Sequence, residues 1–108
     1  MMFPTCYERS TCPLCAGRAD VQPTVVQRLI IRCPECGTFV VDYGFAEVVT
    51  NARNRGLAPI LEHLPFLSGA TRDADRDGLT MRLTATNWVG VAVRMRRVGA
   101  LRQHQEVA

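Results

Sequence analysis

The sequence predicts an α+β fold: a small β-sheet followed by a helical extension, with room for one further strand. Three observations point there. Two Cys-Pro-x-Cys turns, at 12–15 and 33–36, bracket a short stretch rich in β-branched residues. From Asp42 onward the apolar period changes from that of a strand to that of a helix. The chain's 108 residues, 47% of them apolar, suffice for one compact domain, yet so small a sheet buries too little to hold itself together.

The elements follow in order. Residues 18–22, 25–32 and 38–41 read as three strands, with Pro23 at the hairpin turn and Leu29, Ile31 and Phe39 covering one face. Asp42 is a candidate N-cap. Phe45, Val48, Val49 and Ala52 then form an amphipathic stripe, and Gly56 ends it in the left-handed C′ role. Pro59 suits the first turn of a short helix with Ile60, Leu61 and Leu64 inward. Pro65 restarts the chain, 66–75 form another short helix, and 79–85 alternate as a strand does. The last segment fits two periods. Trp88, Val91, Ala92, Met95 and Val98 make a helical face, while Val89, Val91, Val93 and Met95 alternate as on an edge strand. Its length, with Thr86 as cap, favours the helix.

The cysteines carry the chemistry. They stand at 6, 12, 15, 33 and 36, an odd number in tight pairs, which argues for a metal over disulfides. Two residues between cysteines let one turn aim both sulfurs at a point about 2.3 Å away. Each proline fixes φ and stiffens its turn. Gly37, directly after Cys36, is free to take φ > 0 so that backbone N–H groups turn toward sulfur. In the first turn Ala16 holds that place and the glycine comes one later, so a less regular turn is expected. The C-x2-C-x17-C-x2-C spacing fits a four-cysteine Zn2+ site with Cys12, Cys15, Cys33 and Cys36 as ligands. Iron takes the same four sulfurs, but a chain only 6% aromatic lacks the usual aromatic wrapping of such sites. Two redox pairs would each want a helix start in a βαβ setting. Structural disulfides would want a secretory leader, and Pro4 and Glu8 do not fit one. Cys6 reads as a free thiol or a substitute for Cys12.

Residues 12–42, two cysteine turns joined by a small sheet, resemble the zinc-ribbon superfamily. A longer run is similar to N-terminal ribbon modules that head poorly characterised bacterial proteins. It comprises C-P-L-C, C-P-E-C-G, a helix, L-P-F-L-S-G-A-T-R at 64–72 and L-T-A-T-N at 83–87. In those proteins another domain follows, which implies a free-standing or docking version here. The expected division is a ribbon over 1–42 and a mainly helical extension over 43–108, packed as one folding unit.

Other motifs weigh less. The run 73–78 matches the first six positions of a calcium loop, but Thr84 stands where its closing glutamate belongs. The structural alternative is a helix end whose acids pair with nearby arginines. His63 lies among leucines and reads as a partly buried or rim residue, and His104 lies in a polar tail. No nucleophile elbow or phosphate-binding glycine loop occurs, and four thiolates close a zinc site to substrate. An enzyme is therefore not expected, although an accessory subunit of one stays open, and no small-molecule substrate is identified. No apolar run is long enough for a membrane, so a cytoplasmic protein is expected.

The net charge is +3, and all thirteen basic residues are arginine. Four thiolates with one Zn2+ would bring it to about +1. Residues 1–50 sum to −1 and 51–108 to +4, so an anion-binding surface belongs to the second half. Two partners are in view. The first is a larger protein or nucleoprotein complex, on which the module docks as a small regulator or inhibitor through apolar residues such as Phe3, Tyr7, Phe66 and Trp88. The second is nucleic acid, DNA or RNA, held by Arg94, Arg96, Arg97 and Arg102.

Overall fold

The structure, a computed structural model, describes residues 11–107, with side chains from 11 to 98. Cys6, Phe3 and Tyr7 lie outside the described residues, as do the side chains of Arg102 and His104. The chain is α+β. Strands β1 (Asp20–Pro23), β2 (Arg28–Cys33) and β3 (Gly37–Asp42) form an antiparallel meander. Helices α1 (Tyr43–Arg55), α2 (Ala58–Leu61) and α3 (Leu64–Arg76) follow, then strand β4 (Met81–Leu83) and helix α4 (Trp88–Val107). The sheet order is β1-β2-β3-β4, and β4 runs parallel to β3. A parallel neighbour needs a crossover, which the three intervening helices supply.

Register sets the core. Val21 pairs with Ile31, Ile31 with Phe39, and Leu29 with Val41. These side chains and Leu83 of β4 are buried, and α1 and α3 lie against the sheet. Ile30, Val40, Arg32 and Arg82 belong to the alternate positions on the opposite face.

The hairpin differs from the expected one. Strand β2 begins at Arg28, and Pro23 is the last residue of β1. As part of an edge strand, Pro23 can lack an N–H without breaking an inner ladder. The turn is made by residues 25–27, with Gln27 at φ 59° and Thr24 N–H donating to Arg28 O at 2.9 Å. The cause is the register: pairing Asp20 with Arg32 places Pro23 opposite Leu29 and Thr24 opposite Arg28, leaving residues 25–27 to turn. The β propensity of Val25 and Val26 yields to that constraint. Val25 is 99% exposed and Val26 57%.

Asp42 caps α1, its Oδ1 accepting from Phe45 N–H at 2.7 Å, and Gly56 closes the helix at φ 64°. Phe45, Ala46, Val49 and Ala52 are buried, so the inward stripe takes in Ala46 while Val48 is half-buried. No residue of α2 is fully buried, and the inward role expected of Ile60 and Leu61 is only partial. Helix α3 starts two residues earlier than expected, with Pro65 in its first turn. It buries Leu64, Leu67, Ala70 and Thr71.

The ambiguous last segment is a helix. It is preceded by a turn closed through Thr84, and the expected cap, Thr86, donates its own N–H to Thr84 Oγ1 at 3.3 Å. Thr84 Oγ1 accepts from Asn87 N–H at 3.1 Å, and Asn87 Oδ1 accepts from Thr84 N–H at 2.7 Å. This is the reciprocal bonding of a capping box, with asparagine in the usual place of glutamate. On α4 Ala92 is buried, and Trp88 lies 6.4 Å from Phe45 and 5.7 Å from His63, ring centre to ring centre.

Candidate metal centre

The first cysteine turn precedes β1. Ala16 N–H donates to Cys12 O at 2.9 Å, and Cys12 N–H donates to Gly17 O at 2.8 Å. Ala16 takes the left-handed backbone at φ 61°, which turns Gly17 N–H toward Cys15 Sγ at 3.4 Å. The turn is thus regular despite its alanine. The second turn joins β2 to β3, with Cys33 paired to Gly37 and Gly37 at φ 81°, as its position predicts.

The two turns bring Cys12, Cys15, Cys33 and Cys36 together, with all four sulfurs within 4.8 Å of one another. Two approaches cross from one turn to the other: Cys12 to Cys36 at 3.8 Å and Cys15 to Cys33 at 3.6 Å. A tetrahedron with metal–sulfur bonds of ~2.3 Å has sulfurs about 3.8 Å apart. The donor set therefore fits a divalent ion of that size, and all four cysteines are free thiols.

The metal-free cluster shares protons unevenly. The hydrogen bond from Cys12 lowers the pKa of Cys36 to about 5, and the Ser68 hydroxyl adds to this against the effect of burial. Cys12 is pushed up strongly, by that same bond and by burial. Partial desolvation raises Cys15, although the residue is exposed. Four sulfurs this close cannot all carry charge without a cation, and a bound metal replaces the shared protons.

Helix α3 clasps the second turn. Ser68 Oγ lies 3.0 Å from Cys36 Sγ, and Thr71 Oγ1 donates to Cys36 O at 2.9 Å. Arg72 reaches Glu35 O at 3.4 Å. Thr71 is fully buried, and its hydroxyl also lies 3.0 Å from Ser68 O, so its polar group is satisfied within α3 as well as across to the second turn. Gly37 sits so close to α3 that a Cβ there would lie 2.8 Å from Asp75 Cβ. Sequence reasoning did not find Ser68, Thr71 or Asp75 as site residues. Ser68 and Thr71 fall in the 64–72 run, noted as a resemblance without a role, and Asp75 in the 73–78 run weighed only as a calcium loop.

The remaining candidates lie apart from the sulfurs. Arg94, Arg96 and Arg97 are exposed on α4, and the Arg96 guanidinium stands 5.2 Å over the Phe66 ring. Arg102 belongs to the same helix. Phe66 and Trp88, expected as a docking patch, are half-buried under Arg96 and between Phe45 and His63. His63 is half-buried, and its Nδ1 is enclosed without a hydrogen-bond partner among the described residues. The calcium-like run is helical as far as Arg76, and Asp73 pairs with Arg76 at 3.7 Å. Among the described residues no helix is long and apolar enough to cross a membrane.

Comparison with protein-family models, with curated proteins and with solved structures finds no match for this chain.

Proposed function

We propose that the chain is a non-enzymatic zinc-ribbon module, its Zn2+ bound by Cys12, Cys15, Cys33 and Cys36. In this reading the ion is structural and the module docks on a larger protein or nucleoprotein complex in the cytoplasm. The observation that carries the zinc assignment is the sulfur tetrad, whose cross-turn separations of 3.6 and 3.8 Å match the edges of a zinc tetrathiolate. Thiolates select a soft or borderline ion over calcium or magnesium. Four of them leave no coordination position for a substrate, which supports a structural ion.

Elemental analysis of the purified chain should find one zinc per molecule. Cobalt substitution should give the visible spectrum of a tetrahedral thiolate site. Cys33→Ser should lose metal and structure together, and a mutant that stays folded without zinc would refute the assignment.

Docking is supported by Val25 and Val26, two valines held in water at the tip of the β1–β2 hairpin. Replacing both with serine should leave zinc content and thermal unfolding unchanged while abolishing co-purification of the partner. A nucleic-acid reading draws on Arg94 and Arg97, which have no carboxylate within 4 Å among the described residues. Micromolar binding to duplex or single strand that weakens steeply with salt would favour it over protein docking.

A further inference from the structure

The four sulfurs are unequal in access. Cys12 and Cys36 are 0% exposed and Cys33 is 6% exposed, whereas Cys15 is an exposed residue. Cys15 lines a cleft of about 650 Å³ between the first cysteine turn and α2–α3, along with Leu14, Glu35, Arg53, Ser68 and Arg72. Neither Arg53 nor Arg72 has a carboxylate within 4 Å among the described residues. The cleft therefore sets two guanidinium groups without a close carboxylate against one glutamate, beside an exposed cysteine. Behind Cys15, 3.6 Å away and shielded from solvent, is Cys33 Sγ.

A thiol bound to zinc is a thiolate at neutral pH whatever its metal-free tendency. Reactivity among four such thiolates then follows access and the surrounding charge. Resting on the zinc assignment above, we propose that Cys15 is a modification site through which hydroperoxides enter the metal centre, with Cys33 as its resolving thiol. The Cys15 thiolate attacks one peroxide oxygen, forming an S–O bond as the O–O bond breaks, and the hydroxide released takes a proton to become water. The Cys33 thiolate then attacks the Cys15 sulfur. An S–S bond forms, the S–O bond breaks, and the second hydroxide leaves, also to become water. In sum, two thiolates, one hydrogen peroxide and two protons give one disulfide and two waters. Sulfur is oxidised and peroxide oxygen is reduced. Only Cys12 and Cys36 remain as ligands, and the zinc is lost. Bond formation needs the two sulfurs to close by about 1.5 Å, and both stand at turn ends. The product still ties the first turn to the second.

The test uses the zinc-loaded full chain and hydrogen peroxide. Zinc release is followed with a chromogenic chelator, and linkages are mapped by mass spectrometry after alkylation. The expected result is a Cys15–Cys33 linkage that accumulates in step with one released zinc per chain. Limiting alkylating agent should modify Cys15 ahead of Cys12, Cys33 and Cys36. Cys15→His keeps a zinc ligand without the exposed thiol, and peroxide-driven release should slow by about tenfold or more. If that variant fails to hold zinc, the wild-type mapping decides alone. A zinc-loaded chain that links Cys12 to Cys36 first, links Cys6 to Cys15, or shows no order of alkylation overturns this inference and leaves the zinc assignment standing. A chain without stoichiometric metal overturns both.

Discussion

Ala16 and Gly37 occupy the same place in their turns, directly after the second cysteine, and both adopt a left-handed backbone. Their surroundings differ. Gly37 faces Asp75, where any Cβ would overlap the α3 side chain. Gly37→Ala therefore meets two penalties, the left-handed backbone and the overlap, and should destabilise the zinc-loaded protein by at least about 2 kcal/mol. Ala16→Gly relieves the backbone strain but adds freedom to the unfolded chain, so it should change stability by less than about 1 kcal/mol. Denaturant unfolding of both variants checks the contrast, and equal effects would show that α3 does not press on the second turn. At this scale the sequence was legible at Gly37, because a glycine after a cysteine pair has a backbone reason to be there. It was not legible at Ala16, because nothing in an alanine announces a left-handed backbone.

Helix α3 is placed by polar bonds as well as by its buried leucines. The hydroxyl of Ser68 supports the sulfur of Cys36, and that of Thr71 satisfies the Cys36 carbonyl. Outer partners of this kind typically hold about 10–100-fold of metal affinity, so Ser68→Ala should weaken zinc binding within that range in a competition assay. Thr71→Val keeps the shape but leaves a buried carbonyl unpaired, and should cost about 1–3 kcal/mol in thermal unfolding. These bonds explain the limits of reading the sequence by element. Asp42, Gly56 and the strand alternation announce themselves within a few residues, since caps and pleats are local. The bonds from α3 to the second turn span more than thirty residues, and the parallel pairing of β4 with β3 spans about forty. No local pattern encodes such contacts. The hairpin at residues 25–27 was misplaced for a related reason, because the register fixed by the cysteine turns outweighs the propensity of two valines.

Most of the buried residues form one cluster, from Cys12 and Leu14 through the inner face of the sheet to Phe45, Leu67 and Ala92. Three of the four cysteines belong to it, so the candidate metal centre is part of the core instead of an appendage. A structural zinc site contributes on the order of 10 kcal/mol to folding, comparable to the whole stability of a small domain. Removing the ion would leave four thiol groups at close range around the gap, with the second turn no longer fixed for Ser68 and Thr71 to bond. Loss should therefore spread beyond the sheet. Stripping zinc with a strong chelator is expected to abolish the helical far-UV signal together with the sheet, in one transition, and restoring zinc should recover both. If the helical signal survived chelation with its cooperative thermal transition intact, residues 43–108 would fold by themselves. The cysteine-bearing sheet would then be a separate unit, and the clasp of α3 on Cys36 would be a consequence of the fold instead of one of its supports.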